Sequence, residues 1–335
     1  MQMPTNWTQK QKDVLQDYRD CPDPFGPSYD KLFSKLVWSE RAKSWQDFLE
    51  WTEIFQGRWC FRGQRESAWG LQTSLDRAVR VTYENVEVKA PDGKSYIHSG
   101  HYHHDRREVE RDLLFRFQQR AHQFNPQTPP VDDKPSWFAL MQHHGAPTRL
   151  LDWTLSPYVA LFFAVEEKPT EKNDEKDTGT DEENDGFSAV WAIDMDWLQS
   201  KEQDYLESKD PRYRMAYKSG SFDQTDIPLI VKIDPMQGNE RMSAQQGFFL
   251  WKLYEETPYF DQILTSMMKD EVQRRPVISK LKVGKDLRIE FLDRLQCMNI
   301  HRASLFPDFD GFCKFLGTDL EIKIAKEAQQ TGDPH

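Results

Sequence analysis

Residues Tyr158 to Val165, Y-V-A-L-F-F-A-V, present apolar side chains all round a helix, and such a helix has to lie inside a domain. Ser156-Pro157 ahead of it pairs a helix-capping residue with proline at the first helical position, which fixes where the helix starts. The approach is polar. An apolar helical run, Trp137 to Met141, ends in Gln142-His143-His144 and a Gly145-Ala146-Pro147 turn, where glycine accepts positive φ and proline forbids more helix. Thr148, Arg149, Asp152, Trp153, Thr154 and Ser156 follow in an extended segment. So many donors and acceptors leading into a buried helix must satisfy one another, water or a ligand.

The chain of 335 residues is long enough for a large core, and 13% aromatic content fits a globular protein. Its four cysteines, Cys21, Cys60, Cys297 and Cys313, lack the close pairs of zinc sites or disulfide frameworks, and are expected to be reduced and mostly buried. No apolar run approaches a bilayer span, which predicts a soluble, cytoplasmic protein with no membrane partner. The net charge of −11 is uneven: residues 166–185 hold ten acids against three bases, leaving −4 elsewhere. That balance disfavours general nucleic-acid binding but permits a local basic cleft.

Residues 1–30 are expected to lie as an arm on the surface, with a short helical piece near Gln9 to Tyr18. Ser44 caps an amphipathic helix ended by Gly57, and Arg58 to Gln64 reads as a strand with Trp59 and Phe61 on one face and Arg58, Cys60 and Arg62 on the other. A hairpin or loop is expected over residues 80–106, a helix over 107–124, and a disordered acidic insertion over 166–185. Phe187 to Ile193 and Ile227 to Ile233 are predicted strands around a polar helical stretch. Arg241 to Leu253 reads as a turn feeding an apolar strand, residues 257–300 read as helices, and the tail is expected to hold a packed turn followed by a short helix. Nucleotide-binding GxGxxG, P-loop, HExxH and GxSxG motifs are absent.

Several residue types could carry chemistry. Arg62, at a strand end beside glycine, offers a planar fork to phosphate or carboxylate, and the alternative is a structural ion pair. His143 or His144 could act as acid, base or ligand, with Asp152 orienting one of them. Thr154 and Ser156 could hydrogen-bond a ligand or cap the helix, and Arg149 and Asp152 could pair with each other. His98, His101, His103 and His104 form a histidine-rich stretch without definite ligand spacing, expected to be a solvated loop rather than a metal site. Gln245 and Gln246 cannot be general bases, but can read hydroxyls or amides.

Three ordered motifs, Phe61-Arg62-Gly63-Gln64, then Q-H-H-G-A-P-T-R-L-L-D-W-T with S-P-Y-V-A-L-F-F-A, then A-Q-Q-G-F-F, resemble the FRG domain family over about residues 38–252. The order of parts is also similar to ADP-ribosyltransferase folds: Arg62 on an early strand, Thr154 and Ser156 before Ala160 to Ala164, and Gln245 to Gly247 opening a strand. This likeness implies an α/β (α+β) fold, a split, mostly antiparallel sheet pair with a cleft flanked by helices. The expected division is an arm at 1–37, the FRG domain at 38–253 and a helical C-terminal extension at 254–335.

The same likeness implies NAD as ligand and substrate, with Arg62, Gln64, His144, Arg149, Thr154, Ser156 and Gln245 binding it and His143, Asp152 and Gln246 near the reacting ribose. It implies ADP-ribose transfer to a macromolecular acceptor, or NAD consumption by an effector of a phage or toxin system. Gln245-Gln246-Gly247 departs from the glutamate such enzymes use, removing a favourable field commonly worth about 3 to 4 kcal/mol. Either another acid, Asp152 or Glu240, substitutes, or the domain binds a nucleotide or nucleic-acid end without turnover. A hydrolase built on His143 or His144 with Asp152 is the third reading.

Overall fold

Both faces of the central sheet are covered, so its strands are apolar on both sides. The protein is seen in a computed structural model that describes residues 8, 9, 11–13, 30–89, 95–103, 106–167, 186–207, 227–234, 240–253, 260–268 and 276–331, with backbone alone for 30–32, 80–103 and 330–331. Seven strands make the sheet: β1 (Trp38–Ala42), β2 (Trp59–Gln64), β5 (Leu150–Thr154), β6 (Phe187–Asp194), β7 (Ile230–Ile233), β8 (Gly247–Lys252) and β9 (Ile278–Gly284). Their order is β1-β9-β6-β2-β5-β8-β7. Only β1 and β9 run parallel; every other neighbour is antiparallel. β3 (Arg80–Lys89) and β4 (Ser95–His103) form a separate hairpin, as expected, and His98, His101 and His103 lie on its second strand while His104 is outside the described residues.

The helices are α1 (Asp30–Leu36), α2 (Trp45–Glu53), α3 (Ser74–Val79), α4 (Arg106–Phe124), α5 (Lys134–His143), α6 (Pro157–Val165), α7 (Met195–Glu207), α8 (Glu240–Ala244), α9 (Phe260–Met268), α10 (Arg288–Cys297), α11 (Arg302–Leu305) and α12 (Phe309–Thr331). α2 and α6 start where their caps predict. Asp47 N donates to Ser44 Oγ at 3.2 Å, and Val159 N donates to Ser156 Oγ at 3.3 Å. On one sheet face α6 and α10 bury Leu161, Phe162 and Phe291 with Phe61, Val190 and Leu281. On the other, Cys60, Trp191 and Trp251 pack with Phe33, Phe138 and Phe260. The alternation of β2 is therefore as the sequence predicts.

Four expectations are corrected. The sheet is one body of seven strands rather than a pair, because β2 and β5 still share one register pair, Phe61 with Thr154. Within the stretch expected to be helical, residues 257–300, β9 inserts between β1 and β6. The C-terminal helix α12 is long, at 23 residues. Of the described cysteines Cys60 is buried, and Cys297 and Cys313 are exposed. Residues 168–185 of the acidic insertion lie outside the described residues. Among the described residues no helix is long and apolar enough to cross a membrane, and no cluster of His, Cys, Asp and Glu is placed to hold a metal ion.

Candidate functional site

Beyond Phe61 and Thr154 the strands β2 and β5 separate, and Arg62 reaches across the gap. Its Nη1 donates to the backbone oxygen of Asp152 at 2.6 Å, a side-chain bond where strand-to-strand pairing has stopped. The Asp152 carboxylate lies 3.9 Å from the same nitrogen, and is 63% exposed against 18% for the arginine side chain. Burial lowers the Arg62 pKa and Asp152 opposes that shift; a guanidinium stays charged regardless.

The gap opens into a cleft of about 680 Å³. Gln142, from the last turn of α5, donates to Asp152 Oδ2 at 2.8 Å and accepts from the Thr148 hydroxyl, so one amide orients the carboxylate and ties it to the turn. Thr154 Oγ1 donates to Gln245 O at 2.7 Å and accepts from Ser156 N at 3.0 Å. Gln245 Nε2 donates to Leu305 O at 3.0 Å, fastening the cleft to α11.

Arginines dominate the lining. Arg62, Arg65, Arg77, Arg241 and Arg302 face Asp152, Glu166 and Glu167, a local surplus of two positive charges on a chain of net −11. The Arg241 and Arg302 guanidiniums lie 4.1 and 3.6 Å from the Phe306 ring centroid, a cation–π arrangement that holds both at the cleft. Arg302 Nη1 reaches both Glu166 carboxylate oxygens at 3.0 and 2.8 Å. Burial raises the Glu166 pKa even so, against the lowering effect of Arg302. Arg65 donates to Glu167 at 2.7 Å and lies 5.1 Å from the Trp69 ring, which is half exposed.

Arg62, Gln64, Asp152, Thr154 and Gln245 thus line one cleft, although residues 62 and 245 are far apart in sequence. The Gln64 amide is used by the fold, accepting from Trp191 Nε1 at 2.7 Å and donating to Gly70 O at 3.2 Å. The other candidates are placed elsewhere. Arg149 is buried and clasped by Glu110, with its Nε 2.6 Å from Oε1, so it pairs neither with Asp152 nor with the cleft. Ser156 spends its hydroxyl on the α6 cap. Gln246 takes φ 47° in the turn before β8, and this turn leaves its side chain exposed and outside the lining. Glu240 is exposed at the start of α8 and lies outside the lining as well.

His143 and His144 also fall outside the lining, their ring centroids 4.8 Å apart. Burial lowers the His143 pKa first, then His144 and Arg241, with Asp308 opposing. Of the Gln-His-His run it is Gln142 that enters the cleft. Arg65, Arg77, Arg241, Arg302 and Trp69 were not among the sequence candidates. Arg65 and Trp69 had a signal, lying just after Phe-Arg-Gly-Gln; Arg302 had none, because it arrives through the C-terminal fold.

No curated protein and no solved structure matches the chain. The model of the FRG domain matches residues 57–173. That stretch runs from β2 through α6 and supplies Arg62, Gln142, Asp152, Thr154 and Glu166. The opposite wall, Arg241 to Phe249 with Arg302, is added from beyond it. The chain carries an FRG domain at residues 57–173, and its cleft is completed by residues that follow the domain.

Proposed function

We propose that the cleft binds a phosphate-bearing nucleotide, with NAD or a related dinucleotide as the ligand class. The observation that carries this reading is the convergence of five arginines on one concave site with the half-exposed Trp69 at its edge. Guanidinium forks match phosphate oxygens, an aromatic face stacks on a base, and the cleft volume falls in the range of small-molecule sites. Arg62 is the principal phosphate grip, because the sheet holds it at the root of the cleft.

Titration with NAD, ADP-ribose and ATP, followed by calorimetry or tryptophan fluorescence, tests this directly. Arg62→Ala is expected to lose about 2 kcal/mol of binding, roughly thirtyfold in Kd. Because Arg62 also bridges β2 and β5, its variant must keep the wild-type melting temperature for the loss to count. Failure of the wild type to bind any of the three ligands overturns the reading.

The chemical step attached to this reading is ADP-ribose transfer to a macromolecular acceptor. An acceptor nucleophile attacks C1′ of the nicotinamide ribose, the glycosidic bond breaks with its electrons to nicotinamide, and the acceptor proton goes to a base. Asp152, oriented by Gln142 and open to the cleft, is the carboxylate suited to stabilise the ribosyl cation. Nicotinamide release on incubation with NAD and a cell extract measures it. Binding without release supports a non-catalytic nucleotide-binding module, the reading favoured by the neutral Gln245 amide already bonded to Leu305. A His–Asp hydrolase has no such support, since the Asp152 carboxylate is held by Gln142 and both histidines lie outside the lining.

Glu166 gives a pH signature. Protonating it releases Arg302 and removes a negative charge from the cleft, so an anionic ligand binds more tightly as the pH falls from neutral towards the raised Glu166 pKa. Glu166→Gln should tighten binding at neutral pH by about tenfold and flatten that dependence. Parallel pH titrations of the two proteins check it, and identical profiles would remove Glu166 from the account.

A further inference from the structure

The five arginines of the cleft divide into three that are paired and two that are not. Arg62 faces Asp152 at 3.9 Å, Arg65 is bonded to Glu167 at 2.7 Å, and Arg302 reaches Glu166 at 2.8 Å. Among the described residues Arg77 and Arg241 have no carboxylate within ion-pair distance, so they are the surplus positive charges. Arg77, on α3, donates to Gln72 O at 2.8 Å. Arg241, on α8, is half-buried against the Phe306 ring. A guanidinium taken out of water without a counter-charge is costly, and an arriving anion offsets that cost.

The two lie at separate poles. Burial lowers the pKa of both Arg62 and Arg241, and Asp152 opposes both shifts; the next influence is Arg77 on Arg62 but Arg302 on Arg241. Asp152 therefore stands between an Arg62–Arg77 pole and an Arg241–Arg302 pole. Its Oδ2 accepts from Gln142, while Oδ1 accepts no bond among the described residues, on a side chain 63% exposed.

We propose that the cleft takes a nucleotide with phosphates at two separated positions, one on Arg62 and Arg77 and the other on Arg241, with a ribose hydroxyl donating to Asp152 Oδ1 between them. This rests on the nucleotide reading of the cleft and narrows it. A contiguous diphosphate reaching from pole to pole would cross the exposed Asp152 carboxylate, and like charges repel there. Dividing the charge across a hydroxyl makes the same carboxylate a hydrogen-bond acceptor. Each unpaired arginine then gains an anionic partner.

Calorimetry with AMP, ADP and the adenosine 2′,5′- and 3′,5′-bisphosphates tests it, since ADP carries the same two phosphates joined together. One of the bisphosphates should bind at least about tenfold more tightly than ADP. Arg241→Gln should remove that advantage, about tenfold in Kd, and leave AMP within about twofold, because Arg62 still holds the single phosphate. Arg77→Gln should weaken all four ligands. ADP binding as tightly as either bisphosphate overturns the proposal and leaves the nucleotide reading in place. An Arg241→Gln protein that keeps the bisphosphate preference does the same. No binding of any of the four removes the nucleotide reading, and this proposal with it.

Discussion

Gly63→Ala is expected to cost well over 3 kcal/mol, enough to leave little folded protein, because overpacking that side chains can relieve already costs about 1 to 3 kcal/mol. Here no side chain can yield. A Cβ at residue 63 would sit 2.0 Å from Ala160 O, 2.6 Å from Ala164 N and 2.9 Å from Phe163 C, all backbone of α6. That helix is walled in, with Leu161 and Phe162 on one flank and Val159 and Val165 on others, all buried. Truncating Ala160 to glycine cannot rescue the variant, since the obstruction is a carbonyl oxygen. Urea denaturation followed by circular dichroism measures the loss; a midpoint close to wild type would mean that α6 does not lie flush on β2. The tripeptide Phe61-Arg62-Gly63 thus divides its work three ways. Phe61 enters the core, Arg62 spans the split, and Gly63 lets the buried helix approach.

Local chemistry announced part of this. The start of α6 was legible because Ser156-Pro157 is an N-cap followed by proline at the first helical position, and its burial because Tyr158 to Val165 has no polar face. The two faces of β2 followed from alternation. β9 carries the same period of two, with Leu281 and Val283 alternating with Lys280 and Lys282, yet two lysines on a central strand look like a solvated helix face. Their accommodation is tertiary: the Lys280 ammonium lies 4.4 Å from the Trp191 ring centroid and donates to Ser67 O. In the cleft, Arg62, Asp152 and Thr154 come from strands whose ends glycine, proline and capping signals mark. Arg241 and Arg302 reach it only through α8 and α11 packing on Phe306, and no local pattern encodes that meeting. Between Gln245 and Gln246 the choice was made by a single positive φ.

Arg149 is where composition misleads most, and its removal separates the two roles an arginine can have. Glu110 on α4 and Arg149 just before β5 are both buried, with Arg149 Nε 2.6 Å from Glu110 Oε1 and a second contact through Nη2. Its guanidinium also lies 5.9 Å from the Phe138 ring and 5.6 Å from the Trp251 ring, in the middle of the core. Taking away one partner leaves the other charge buried, so Glu110→Leu and Arg149→Met should each destabilise by about 3 to 5 kcal/mol. Removing both should cost much less than the sum, because the pair's attraction only offsets its own desolvation; Glu110→Leu with Arg149→Met is expected within about 2 kcal/mol of wild type. Urea midpoints for the four proteins close the cycle. Nucleotide affinity of the double variant should match wild type, since neither side chain lines the cleft. A double variant that folds well but loses the ligand would return Arg149 to the binding site, and would mean that the split between β2 and β5 is not where the anion is held.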